Sequence, residues 1–207
     1  VLDMRDGVLT RVLLWRSPSG HRVRVRSRRM VSFAQRHLAL MTYEVELLDE
    51  AAPIAISSQL LNRQAGLDEY RATPVHSGMA DPRKANRLDD RVLEPRVQHG
   101  EGDRVVLGYK AKKSGMTLAA AMEHHVEFDG EYDRIDEVDA DYAKHVFRTR
   151  AQPGQVFTLT KVVSYHTSRL VPARELADRC HRTLDRVQQE GSDTQYEHQL
   201  AWMKGFW

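Results

Sequence analysis

Residues 21–26 read HRVRVR, and this strict alternation of apolar and charged side chains decides the fold class. Val23 and Val25 point to one face of a strand and the arginines point to the other, because side chains of a β-strand alternate with a period of two. The preceding segment Val8–Arg16 (VLTRVLLWR) is rich in β-branched and aromatic residues, and Ser17–Gly20 (SPSG) joins the two. Proline presets one turn angle and glycine permits a positive φ, so this stretch predicts a β-hairpin with one buried face.

The strand pattern continues along most of the chain. In His37–Leu48 (HLALMTYEVELL) the second half alternates, with Tyr43, Val45 and Leu47 on one side. Short turns between successive strands favour antiparallel pairing. The further predicted strands are Pro53–Leu60, Arg104–Ala111, Met116–Phe128, His145–Arg150 and Val156–Tyr165.

Two polar stretches interrupt the predicted strands. Leu61–Gly102 contains three prolines and no sustained period, so it predicts a long surface loop, and such loops are usually functional or disordered. The acidic segment Asp133–Asp139 is interpreted as a solvated connector.

Near the C-terminus the apolar period changes from two to that of a helix. Pro172 suits the start of a helix and Gly191 its end. A second helix is predicted over Thr194–Trp207. The apolar face of the first consists of Leu176, Cys180, Leu184 and Val187, and that of the second of Tyr196, Leu200, Met203 and Trp207. We therefore expect a mainly β fold, an antiparallel β-sandwich over residues 1–168 followed by a C-terminal helical linker over residues 169–207.

Composition excludes several classes of protein. The chain has 207 residues, 41% hydrophobic and 29% charged, with a net charge of +2, which is typical of a globular domain. Cys180 is the only cysteine, so no internal disulfide and no cysteine-based zinc site can form. A lone cysteine, no apolar run of membrane-spanning length and no signal-peptide pattern predict a cytoplasmic protein with no membrane partner.

Several motifs, in order and spacing, resemble those of glycoside hydrolase family 65. They are Leu2–Arg11 (LDMRDGVLTR), Arg24–Ser32 (RVRSRRMVS), Arg36–Ala39 (RHLA) with Tyr43–Val45 (YEV), Ile56–Leu60 (ISSQL), and the tail Ala201–Trp207. The resemblance implies a large β-sandwich of the super-sandwich type, then a helical linker into an (α/α) six-hairpin barrel. It also implies further strands before Leu2, so we expect the sandwich to lack its first strands and to leave a sheet edge exposed to pairing.

The same resemblance implies a function. The family includes phosphorylases of maltose, trehalose, kojibiose and nigerose, and some hydrolases, and its barrel holds the general-acid glutamate and the phosphate site. The chain is therefore expected to contain no catalytic residue, no metal site and no cofactor, with inorganic phosphate as co-substrate of the parent enzyme. It would be a scaffold and interface domain, whose partner is the barrel of the same polypeptide, with a homodimer as a further expectation and the α-glucoside substrate bound through the barrel.

Two groups of residues are predicted to make functional contacts. Trp202, Phe206 and Trp207 are expected to pack against the barrel. The long loop carries residues that would reach a partner domain or a substrate entrance. These loop residues are Asn62, Arg63, Arg83 and Lys84.

Two other functions remain as alternatives. A free-standing carbohydrate-binding β-sandwich would use Trp15 to stack on sugar rings. A nucleic-acid surface would use the arginines of Arg22–Arg29. The nearly neutral charge and the lack of interleaved aromatics instead favour a solvated strand face that pairs with Glu44 and Glu46. His124 and His125 are adjacent and would point to opposite faces of a strand, so they do not predict a metal site.

Overall fold

The computed structural model describes residues 1–18, 20–62 and 91–207, which form eleven strands and two helices. The strands are β1 (Leu2–Asp3), β2 (Val8–Arg16), β3 (Arg22–Val31), β4 (Leu38–Leu47), β5 (Ala52–Leu61), β6 (Leu93–Glu101), β7 (Arg104–Ala111), β8 (Thr117–Glu127), β9 (Asp133–Val138), β10 (Tyr142–Ala151) and β11 (Val156–Ser168). The helices are α1 (Ala173–Glu190) and α2 (Ser192–Phe206).

The strands form two antiparallel sheets that pack face to face. The large sheet has the order β1-β2-β3-β4-β11-β8-β7-β6, and the small sheet has the order β5-β10-β9. The last strand in the chain, β11, lies between β4 and β8, with Val163 opposite both Ala39 and Met122. This is the β-sandwich followed by a helical segment that the alternating strands predict, so the fold class is confirmed.

The two faces of the large sheet have different partners. Along β7, Val105 and Leu107 face the small sheet, where Ala143 completes the apolar cluster. Val106 lies between them in sequence and points to the opposite face, where it packs with Leu176 of α1. The sheet is therefore buried on both sides in this region, which explains why the residues of β7 read as a continuous apolar run.

Helix α1 lies across β6, β7, β8 and β11 of the large sheet. The predicted apolar face is confirmed, since Leu176, Cys180, Leu184 and Val187 are all buried. The helix ends at Gly191, whose φ of 86° favours glycine. The helical segment is thus a third layer of the domain. Within the described ranges, neither helix is long and apolar enough to cross a membrane.

Two stretches interpreted as loops contain strands. The acidic segment forms β9, which pairs with β10 through the backbone and keeps its carboxylates exposed, so strong apolar alternation is not needed there. The polar stretch Leu61–Gly102 ends in β6, an edge strand whose register shifts between Pro95 and Val97. Proline is tolerated on edge strands and at bulges, so Pro95 does not exclude a strand, and the prediction of a loop that continues to Gly102 was wrong here.

Candidate functional site

Four aromatic side chains form an exposed stack, the aromatic ladder, where α2 ends beside the loop between β3 and β4. The rings of Phe33 and Trp202 are 4.9 Å apart and nearly parallel. Those of Trp202 and Phe206 are 5.7 Å apart and also parallel, and Trp207 meets Phe206 edge-on at 5.2 Å. Their exposed fractions run from 40% for Trp202 to 69% for Trp207. A contiguous aromatic surface of this kind is typical of an interaction site.

The ladder has a fixed shape because buried glutamines hold α2 against the β3–β4 loop. The side-chain carbonyl of Gln199 accepts a hydrogen bond from the backbone N–H of Phe33 at 2.8 Å. The carbonyl of Gln195 accepts one from the side-chain amide of Gln35 at 3.1 Å. Both α2 glutamines are completely buried. Since hydrogen bonds are directional, they fix the position of α2 more narrowly than apolar packing alone would.

The turn between β1 and β2 supports the same end of α2. Gly7 has a φ of 66°, and a Cβ at that position would lie 2.5 Å from the side-chain nitrogen of Gln199. The indole N–H of Trp207 donates a hydrogen bond to the carbonyl of Met4 at 3.2 Å. The ladder is therefore braced on two sides, by the β3–β4 loop and by the β1–β2 turn.

The buried face of α2 differs from the one predicted. Tyr196 and Met203 are buried as expected, but Leu200 and Trp207 are exposed. The guanidinium of Arg28 lies 3.5 Å from the centre of the Tyr196 ring, a cation–π contact. The helix is rotated so that Gln195 and Gln199 are buried and accept hydrogen bonds from the β3–β4 loop. Counting apolar residues does not detect this orientation.

Sequence analysis named three of the four ladder residues and missed Phe33. Phe33 is the first aromatic after β3 and lies 166 residues before Gln199, its hydrogen-bond partner. No local pattern connects the two segments. Only the packing of α2 on the loop reveals the contact.

The arginines of β3 face the glutamates of β4, as the solvated-face interpretation predicted. Arg24 pairs with Glu46, and Arg26 lies 3.9 Å from Glu44. A cavity of about 410 Å³ lies over these pairs. Its walls are Thr10, Val12, Arg24, Arg26, Glu44, Glu46 and Val156. Exposed cross-strand pairs of this kind stabilise a sheet by roughly 0.2–1 kcal/mol each.

Two histidines are buried between the sheets. The rings of His124 and His145 are 5.0 Å apart, and the ring nitrogen Nε2 of His124 lies 2.7 Å from the Ser58 hydroxyl. Burial lowers the pKa of His124 to about 3 and also lowers the pKa of His145, although Asp136 at 3.7 Å opposes the latter shift. Burial lowers the pKa of Lys161 to about 8 as well. Near neutral pH both imidazoles are therefore uncharged, which suits a core contact between the sheets.

The adjacent histidines diverge as predicted, with His124 buried and His125 exposed. Among residues 1–18, 20–62 and 91–207, no cluster of three or more His, Cys, Asp or Glu side chains is arranged to hold a metal ion.

Of the four predicted loop residues, only Asn62 lies in the described part of the chain, and Arg63, Arg83 and Lys84 lie outside the described residues. The backbone N–H of Asn62 donates to the carbonyl of Asp141 at 2.7 Å. Its side-chain amide donates to the Asp141 carboxylate at 3.1 Å. Asn62 therefore fastens the end of β5 to the residue before β10.

Comparisons with known proteins agree with this architecture. The family model for the N-terminal domain of glycosyl hydrolase family 65 matches residues 1–206. An uncharacterized glycosyl hydrolase of Mycobacterium tuberculosis is 32% identical over 208 residues, which cover 100% of this chain and 25% of that protein. The α,α-trehalose phosphorylase of Thermoanaerobacter brockii is 24% identical over 207 residues, 100% of this chain and 26% of that protein.

A solved structure named "Putative kojibiose phosphorylase from human microbiome" superimposes with a TM-score of 0.75 at 12% identity, over 98% of this chain and 24% of that chain. At this identity the match shows the fold alone. The chain spans about a quarter of the length of the curated relatives it matches.

Proposed function

Because the chain belongs to glycosyl hydrolase family 65, whose N-terminal domain it forms, we propose that it is a non-catalytic scaffold for the catalytic part of an inverting disaccharide phosphorylase or hydrolase acting on α-glucosides. The relative named α,α-trehalose phosphorylase supports phosphorolysis, with inorganic phosphate as co-substrate. The scaffold would brace the catalytic barrel of the same polypeptide and position its substrate entrance.

The aromatic ladder carries this proposal. Four stacked rings are held in place by buried glutamines, yet their outer faces are exposed to solvent. Burying an aromatic side chain contributes about 1.5–3 kcal/mol, and a surface that is already ordered loses little entropy on docking. Such a surface suits a permanent apolar contact with another domain better than transient binding of a polar ligand.

The carboxylates of the β3–β4 surface support a structural role. Glu44 and Glu46 lie on an exposed strand face and are engaged by Arg26 and Arg24. A general acid for glycoside cleavage needs a carboxyl group whose pKa is raised by an apolar site. Glu44 and Glu46 instead lie on the sheet surface in ion pairs with arginines and not in an apolar site.

Release of glucose 1-phosphate tests the proposed activity. The 207-residue chain and a longer polypeptide that contains it, of the length of the relatives, are each incubated with phosphate and maltose, trehalose, kojibiose or nigerose. We expect no product from the chain and product from the longer polypeptide. Turnover by the chain itself would show that a catalytic acid lies within it and would refute the scaffold role.

Substitution of the ladder tests the docking role. In the longer polypeptide, we expect Trp202→Ala to lower the melting temperature. We also expect the N-terminal domain and the catalytic barrel to unfold in two separate transitions. The matched control is Leu200→Ala, on the same helix about 200° away from Trp202 and also partly exposed. Equal melting curves for the two variants would contradict docking through the ladder.

A carbohydrate-binding function is the second candidate, because Trp15 of β2 is 55% exposed and an exposed indole ring can stack on a sugar ring. It predicts that the 207-residue chain binds maltose or trehalose in isothermal titration calorimetry, and that Trp15→Ala abolishes the heat of binding. Absence of binding by the unsubstituted chain at millimolar sugar would eliminate this function.

A further inference from the structure

Two histidines face each other across the contact between the sheets. His124 belongs to β8 of the large sheet and His145 to β10 of the small sheet, and their ring centres are 5.0 Å apart. Their exposed fractions are 7% and 1%. Among the described residues, they are the only buried side chains of the Asp, Glu, Lys, Arg and His types. Among these fully buried groups, a positive charge can therefore arise only where the two sheets meet.

The hydrogen bonds of this contact suit uncharged rings. Nε2 of His124 lies 2.7 Å from the hydroxyl oxygen of Ser58, on β5 of the small sheet. Nδ1 of both rings is buried and has no hydrogen-bond partner in the part of the chain that the structure describes. A neutral imidazole has one nitrogen without a proton, whereas a protonated imidazole carries an N–H at both nitrogens. Protonation therefore places an unpaired, buried N–H on each ring, which costs free energy.

The charged groups around the pair do not compensate for protonation. Lys161 of β11 donates from its amine to the carbonyl of Gln59 on β5 at 2.7 Å. Burial is the main cause of the lowered pKa of both histidines, and the positive charge of Lys161 lowers it further. Asp136 of β9 lies 3.7 Å from Nδ1 of His145, but Arg134 already binds the same carboxylate oxygen at 3.0 Å. The carboxylate is thus shared with a permanent cation.

Apolar side chains enclose the pair on both sides along the strands. Side chains that point to one face of a strand recur every second residue. Met122 and Ala143, two residues before each histidine, belong to one apolar cluster between the sheets. Val126 and Phe147, two residues after, belong to the next. Water can therefore reach the protonated rings only if the sheets move apart.

The opposite face of the large sheet contains no such pair in the described ranges. Leu176, Cys180 and Leu184 of α1 pack there on apolar residues of the strands. His166 also lies on this face, with Nε2 3.3 Å from the hydroxyl of Thr183 in α1, but it is only half-buried. Its ring can be hydrated without moving α1. Acid should therefore act on one face of the large sheet more strongly than on the other.

We propose that His124 and His145 form a pH-sensitive latch between the two sheets. When both rings are protonated, the small sheet separates from the large sheet, while α1 stays packed on the opposite face. The separation gives the charged rings access to water. The direction of the effect agrees with the pKa of His124, which is about 3 in the folded chain and near 6.5 when the ring is exposed. The latch is therefore closed above pH 6.5 and weakens as the pH falls below that value.

Thiol labelling compares the two interfaces in one molecule. Ala143→Cys places a thiol in the contact between the sheets, because Ala143 is completely buried in the apolar cluster beside His145. The native Cys180 is buried between α1 and the large sheet and is the internal reference. Both thiols are labelled with an aromatic disulfide reagent that remains reactive at acidic pH, and mass spectrometry of peptides measures each rate.

The expected change follows from the proton that the open form binds at His124. We expect labelling of the introduced thiol, relative to Cys180, to rise about 25-fold between pH 7 and pH 5 from His124 alone. His124→Gln cannot be protonated in this range, so the rise should shrink to the part that His145 contributes. His166→Gln is the matched control. Burial also lowers the pKa of His166, to about 4, but this residue lies on the other face, so the rise should be unchanged.

Hydrogen exchange of the unsubstituted chain gives an independent measurement. After correction for the intrinsic effect of pH on exchange, the amides of β5, β9 and β10 should lose protection at pH 5 while those of α1 keep it. The latch is refuted if both regions open together, because the chain then unfolds as a whole. It is equally refuted if His124→Gln leaves the rise in labelling unchanged. Neither result bears on the aromatic ladder, so this inference and the scaffold role fail separately.

Discussion

Replacing Leu176 with alanine tests whether α1 belongs to the folded domain or only leads out of it. The side chain is completely buried in the apolar cluster that α1 forms with the large sheet. Removing a buried leucine side chain costs its transfer free energy and leaves a cavity that the neighbours fill only partly, for a loss of about 3 kcal/mol. In a domain of this size, each kcal/mol lowers the melting temperature by roughly 2–4 °C, so we expect a decrease of about 6–12 °C.

Thermal unfolding followed by two probes separates the possible outcomes. Circular dichroism at 222 nm reports mainly on the helices, and tryptophan fluorescence reports in part on Trp15 of the large sheet. If α1 is a layer of the domain, both signals move together to the lower temperature in Leu176→Ala. Leu170→Ala is the control, because Leu170 precedes the same helix but is 95% exposed. It should change the free energy of unfolding by less than about 0.5 kcal/mol.

The reasoning fails if the helical signal of Leu176→Ala melts early while the fluorescence transition stays in place. That result would mean that α1 is attached to the sheet without sharing its cooperativity. A loss of stability below about 1 kcal/mol would also contradict the buried position, since a fully buried leucine costs more than that to truncate.

Two further predictions concern the close approach at α2 and the buried histidines. Gly7→Ala should lower the free energy of unfolding more than Gly102→Ala in urea titrations. Both glycines have a positive φ, but a Cβ at Gly7 meets Gln199 at 2.5 Å and one at Gly102 meets no atom within 4 Å; equal losses would show that Gln199 moves aside. The unfolded chain protonates His124 near pH 6.5 and the folded chain only near pH 3. The contribution of uncharged His124 to the free energy of unfolding is therefore fully present above pH 6.5. It is lost as the pH falls below that value, by about 2 kcal/mol at pH 5. The lowered pKa of His145 acts in the same direction, and His124→Gln should flatten the measured pH dependence; an unchanged slope would refute the assignment.

The parts of the fold that could be predicted from the sequence are the elements with one buried face and one solvent-exposed face. The alternation HRVRVR places Val23 and Val25 on the face toward the small sheet and the arginines on the opposite face, as the structure shows. The buried face of α1 was predictable for the same reason, because Leu176 and Cys180 recur at helical spacing.

The parts that could not be predicted depend on contacts between distant segments. Strand β9 contributes backbone hydrogen bonds at the edge of the small sheet, so its acidic side chains give little indication that this segment is a strand. Gln195 and Gln199 are polar residues that are fully buried, and only their partners in the β3–β4 loop explain this. Trp202, Phe206 and Trp207 were singled out because the tail resembles the linker into a barrel, whereas Phe33 joins them through tertiary packing alone.

The central place of β11 affects the order in which the chain can fold. The strands β1–β4 and β6–β8 form two separate ribbons of the large sheet, and they share no backbone hydrogen bonds until Val156–Ser168 lies between them. Thr42 and Thr160, which face each other across this junction, are 118 residues apart. Pairing between segments so far apart in sequence raises the contact order, so folding should be slow. On the ribosome, both ribbons are made before the strand that joins them. Their open edges are then the parts of the nascent chain most exposed to misassembly and to chaperone binding.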